Sequence, residues 1–153
     1  MKLGDVLQKE RKARGLTPEE VASRIGLTAQ DYHDLEAGAS AAEEWGPRLA
    51  RIAIALETPT SRLLAESGRF ADATQGQAGL LVRRHREARG KTLEEVAEAA
   101  EIPLDDYRAV EQGDSPLETW GPLLLGFAEV VEQPVFNLFY PCGLPFQELD
   151  DYP

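Results

Sequence analysis

The chain has 153 residues, 42% of them hydrophobic and 28% charged, a globular composition that excludes disorder as its default state. No apolar run reaches the ~18–20 residues of a membrane span, and Met1-Lys2-Leu3-Gly4-Asp5 lacks the apolar core of a signal peptide, so a cytoplasmic protein is expected. Its formal charge of −11 works against nucleic-acid binding, which draws affinity from Lys and Arg neutralising phosphates.

Leu3, Val6 and Leu7 recur at helical spacing, and Gly15 offers the left-handed residue that ends a first helix. Thr17 reads as an N-cap, with Pro18 at the first helical position and Glu20 three residues on, a capping box that opens a second helix over Pro18–Ile25. After the short turn Gly26-Leu27-Thr28, Thr28 caps a third helix, Ala29–Ala37, with Tyr32 and Leu35 facing inward and Gly38 closing it. Two short helices joined by a three-residue turn have helix-turn-helix geometry. A fourth helix is expected from near Pro47, after the break Trp45-Gly46, to about Leu56, and a short fifth from Pro59-Thr60.

The same series then recurs. A shift of 75 residues lays Leu7–Leu64 on Val82–Phe139 without a gap and keeps 23 of 58 residues, among them Arg11/Arg86, Thr17/Thr92, Asp31-Tyr32/Asp106-Tyr107, Glu36/Glu111 and Trp45-Gly46-Pro47/Trp120-Gly121-Pro122. The chain therefore reads as all-α, with two tandem five-helix units at 1–66 and 79–139. Linker chemistry spans 67–78, and a tail over 140–153 carries three prolines with Leu144, Phe146 and Tyr152. Trp45 and Trp120 are each expected in the core of their own unit, with a contact between copies as the alternative.

The run from Arg11 through Thr17-Pro18-Glu19-Glu20-Val21-Ala22 to Gly26-Leu27-Thr28, followed by Tyr32, Leu35-Glu36 and Gly38, resembles the signature of the Cro/C1-type (XRE-like, lambda-repressor-like) helix-turn-helix family. The resemblance implies lambda-repressor-like domains, transcription regulation through DNA, and a pairing of the helix 1 arginine with the glutamate that closes helix 3. Here those residues are Arg11 with Glu36 and Arg86 with Glu111. It also implies that the outer face of helix 3 meets the major groove.

On that face the donors suited to base edges are Gln30, His33 and Arg108. Phosphate contacts would fall to Lys9, Lys12, Thr17 and Thr28 in the first copy, and to Arg83, Arg84, Lys91 and Thr92 in the second. The basic positions of helix 1 read equally as a solvated face. The stretch after helix 3, basic in the family, holds no Lys or Arg in either copy, and it includes Glu43, Glu44 and Glu118.

Cys142 is the only cysteine, and His33 and His85 lie far apart, so no disulfide, metal site or cofactor is expected. No paired acid and base, nucleophile or phosphate loop marks an enzyme. The partner is thus double-stranded DNA, recognised weakly or atypically, or a protein that the acidic scaffold suits. A homodimer is compatible with both readings.

Overall fold

A computed structural model describes residues 2–63, 74–133 and 135–142, and among them there is no strand. The helices are α1 (Leu3–Ala13), α2 (Pro18–Ile25), α3 (Ala29–Glu36), α4 (Ala42–Ala55) and α5 (Thr60–Leu63). They are followed by α6 (Gln77–Ala88), α7 (Leu93–Ala99), α8 (Leu104–Gln112), α9 (Leu117–Val130) and α10 (Phe136–Phe139), and a 3-10 turn at Tyr140–Cys142. No helix among the described residues is long and apolar enough to cross a membrane. Most of the expected linker, and Leu144, Phe146 and Tyr152 of the tail, lie outside the described residues.

Local sequence accounts for the second helix of each copy. Thr17 Oγ1 accepts from Glu20 N at 3.1 Å while Thr17 N donates to the Glu20 carboxylate, and Thr92 and Glu95 make the same reciprocal pair. The fourth helix departs from expectation. It begins at Ala42, not near Pro47, and runs without interruption through Trp45-Gly46-Pro47, as α9 runs through Trp120-Gly121-Pro122. Each proline forfeits one helical hydrogen bond, and the helix still continues.

Gly46 serves a close approach here and not a turn. A Cβ at that position would lie 2.7 Å from Leu3 Cδ2, 3.1 Å from Phe139 Cε1 and 3.2 Å from Leu124 Cδ1. α4 therefore passes directly over residues drawn from both ends of the chain.

Continuity of α4 and α9 decides where the cores lie. Leu3, Val6, Leu7, Val21, Ile25, Tyr32 and Leu35 of α1–α3 take Ala42 and Ala50 from α4 but pack mainly against Leu124 and Phe127 of α9, Val131 just beyond it, and Leu138 and Phe139 of α10. Reciprocally, Leu49, Ile52, Leu56 and Leu63 of α4 and α5 complete a second core with Val82, Val96, Tyr107 and Val110 of α6–α8. The sequence halves are thus not the packing halves: each three-helix base is closed by the other copy's fourth and fifth helices. The tryptophans follow this exchange. Trp45 belongs to the core built on the second copy and Trp120 packs against the core built on the first, which corrects the expectation that each docks within its own unit.

Polar contacts line the same seams. Arg14 meets Glu132 at 3.0 Å, Arg48 meets Asp106 at 3.1 Å while lying 4.6 Å over the Trp45 ring, and Arg89 donates to Thr58 Oγ1 at 2.6 Å.

Because neither core is contained in one half of the chain, the protein should unfold as one cooperative unit. Phe127, buried and stacked on Tyr32 at 6.5 Å between centroids, is the sharpest probe. Phe127→Ala should cost ~3–5 kcal/mol and lower the urea midpoint equally in single-tryptophan variants that report from Trp45 and from Trp120. Two separate midpoints would mean independent units.

Candidate nucleic-acid interface

Each three-helix base is braced from beneath by an arginine. Arg11 Nε donates to Glu36 Oε2 at 2.6 Å and Nη2 to Oε1 at 3.1 Å, while Nη1 reaches the Leu16 carbonyl at 2.9 Å. Arg86 repeats the fork on Glu111 at 2.7 and 3.0 Å and donates to the Lys91 carbonyl at 2.9 Å. One guanidinium in each copy therefore ties the first helix, the entry to the second and the end of the third.

The hydrogen bond to glutamate raises both arginines above their ordinary value, against the opposing effect of burial. Burial is also the main reason that the Tyr32 and Tyr107 phenols are pushed up, with the neighbouring glutamates adding to it. Neither hydroxyl finds a hydrogen-bond partner of good geometry, so the phenols act as bulk beneath the ion pairs.

Two acids of the stretch after helix 3 turn out to be structural. Glu118 is buried on α9, where Oε1 accepts from Gly76 N at 2.6 Å and from Ala78 N at 3.3 Å, and Oε2 accepts from Gly79 N at 2.9 Å. Glu43 on α4 accepts from Gly4 N at 3.0 Å. These carboxylates satisfy orphan N–H groups at the start of α6 and α1 and complement the helix dipoles. They are therefore not part of the exposed negative surface that their sequence position suggested.

The outer faces of α3 and α8 are open. Gln30, His33 and Arg108 are all exposed, and α3 packs on α1 and α2 of its own copy as α8 packs on α6 and α7. Every one of these donors nevertheless lies beside an acid. Gln30 Nε2 donates to Asp34 at 3.1 Å, Arg108 Nη1 is 3.6 Å from Asp105, and His33 Nε2 is 3.9 Å from Glu19.

The phosphate candidates divide in two. Lys9, Lys12 and Arg84 are exposed and make no ion pair among the described residues. Arg83 is held by Glu87 at 3.0 Å, and Lys91 is half-buried with Nζ on the Ala55 carbonyl at 3.0 Å, closing the end of α4. Thr17, Thr28 and Thr92 accept from the backbone N–H of Glu20, Asp31 and Glu95, which leaves each hydroxyl proton free to donate. Sequence reasoning passed over Arg24, exposed on the last turn of α2 and without an ion pair among the described residues. Its signal was a lone cation within reach of the turn.

Residues 2–65 match the family model described as a helix-turn-helix domain. No curated protein and no solved structure matches the chain. The match supports a helix-turn-helix domain over residues 2–65.

The Arg11–Glu36 pair gives a stability prediction. Its side chains are only 8% and 10% exposed, so Glu36 cannot recover full hydration if Arg11 is lost. Arg11→Met should cost ~3–5 kcal/mol in urea unfolding, and the double replacement Arg11→Met with Glu36→Leu should recover most of that loss. A single mutant costing under ~1 kcal/mol would make this an ordinary surface pair.

Proposed function

We propose that the chain is a DNA-binding transcriptional regulator of the Cro/C1 (XRE) type whose two tandem helix-turn-helix units, 1–66 and 79–139, work from one body as a covalent pseudo-dimer. The observation that carries this reading is the open outer face of α3, on the unit that matches a helix-turn-helix domain and that also carries the exposed, unpaired Lys9 and Lys12 on α1. Lys9, Lys12 and Arg84 would hold phosphate, with Thr17, Thr28 and Thr92 donating from the helix starts; Gln30, His33 and Arg108 would meet base edges. Recognition is atypical because duplex DNA must displace Asp34 from Gln30 and Asp105 from Arg108. Arg83 and Lys91 would first have to leave Glu87 and the Ala55 carbonyl, so they contribute less.

One observation favours a second reading, a protein-interaction module without DNA. All three candidate base readers are already matched to acids within the fold, on a chain of charge −11.

A titration on random duplex DNA across a salt series separates the two. A regulator binds at low salt and loses affinity linearly in log salt, and replacing Lys9 and Lys12 with Ala flattens the slope by about one unit per lysine. Absence of binding at the lowest salt would leave the protein-interaction reading in its place.

A further inference from the structure

The two copies present the same backbone but not the same chemistry at the turn. On the exposed surface made by the end of the second helix and the start of the third, the first copy carries Ser23, Arg24, Gly26, Thr28 and Gln30. At the equivalent exposed positions the second carries Glu98, Ala99, Glu101, Pro103 and Asp105. Every exchange runs in one direction: a donor is lost, an acid is gained, or both. Thr28 offers a hydroxyl and an N–H where Pro103 offers neither. Glu101 occupies the left-handed conformation, φ 58°, that Gly26 holds at φ 75° in the first copy, and places a carboxylate at the turn.

The one donor gained, Arg108 in place of His33, sits 3.6 Å from Asp105. Asp105 also occupies the first turn of α8, where the positive end of a helix dipole would otherwise face a phosphate; the adjacent Asp106 is held by Arg48 and has its counterpart in Asp31 of the first copy. The Asp105 carboxylate would stand in contact with the DNA backbone, well inside the ~8–10 Å over which salt screens.

We propose that sequence readout is one-sided. The α2–α3 surface reads DNA, the α7–α8 surface is closed to it, and the target is an asymmetric duplex element with one half-site, not the palindrome a symmetric pair of units requires. This rests on the DNA-binding part of the reading above and replaces its two-sided form: Thr92 and Arg108 of the second copy drop out as contacts, and the pair of units is a pseudo-dimer in fold and not in readout. Arg24 becomes a DNA-contacting residue of the open side, and the second copy acts as the frame that completes its core.

The test uses the full chain on the best duplex selected from a random library, with hydroxyl-radical footprinting and two single variants, Arg24→Ala and Arg108→Ala. Both residues are exposed, so an unchanged urea midpoint checks that the fold is intact. The expected result is protection confined to one half-site, with Arg24→Ala weakening binding about tenfold and Arg108→Ala changing it by less than about twofold. Two related half-sites protected one helical turn apart, with Arg108→Ala as damaging as Arg24→Ala, would overturn one-sided readout and leave DNA binding standing. A wild-type chain that binds no duplex at low salt removes the DNA reading and this inference with it.

Discussion

Everything in this molecule hangs on the unbroken passage of α4 and α9 through Trp-Gly-Pro. A helix that restarted at proline could turn back and close its own three-helix base. A helix of 14 residues that continues through the proline carries its distal apolar face away from that base and into the other copy's. Ala42 and Ala50 stay beside the first core while Trp45, Leu49 and Ile52, with Leu56 just after the helix, reach the second, so a single continuous helix serves both. The cost is one missing backbone hydrogen bond per proline. The gain is a pair of cores that cannot separate without unfolding.

The contacts along the seam do not by themselves choose this arrangement. Arg14 meets Glu132 across the copies, yet Glu57 holds the equivalent place in its own copy. Arg48 meets Asp106, where Asp31 is the counterpart. Leu49 and Leu124, Ala53 and Ala128, and Leu63 and Leu138 are identical pairs. A repeat offers its own distal helices and its neighbour's almost equal terms. Helix continuity breaks the tie, reinforced by Phe127 on Tyr32, where the alternative is Ile52.

That degeneracy also explains what sequence could and could not convey. The second helix is written locally, because Thr17 with Glu20 and Thr92 with Glu95 need only three residues of context. The third helix follows from the Thr28 cap and the Tyr32, Leu35 spacing in the same way. The start of the fourth was misread since Gly-Pro signals a break locally, whereas Gly46 is there for the neighbouring side chains it admits. The core partner of each base was illegible in principle, because identical apolar positions fit both. At the candidate interface the donors were visible as residue types, but their engagement by Asp34, Glu19 and Asp105, and the withdrawal of Glu43 and Glu118 into helix starts, depend on geometry.

For function, core exchange joins two units that each carry more acids than bases into one body in which the copies are free to diverge. Only one surface need keep its donors if the other is fixed by covalent and apolar contacts, and the base of the second copy is held by Arg86–Glu111 and by α4. The exchange is most directly tested by nuclear Overhauser contacts from the Tyr32 ring in a monomeric sample. The account predicts contacts to the Phe127 ring of α9 and none to Ile52 of α4. Contacts from Tyr32 to Ile52, without Phe127, would show that each copy closes its own core and would contradict it.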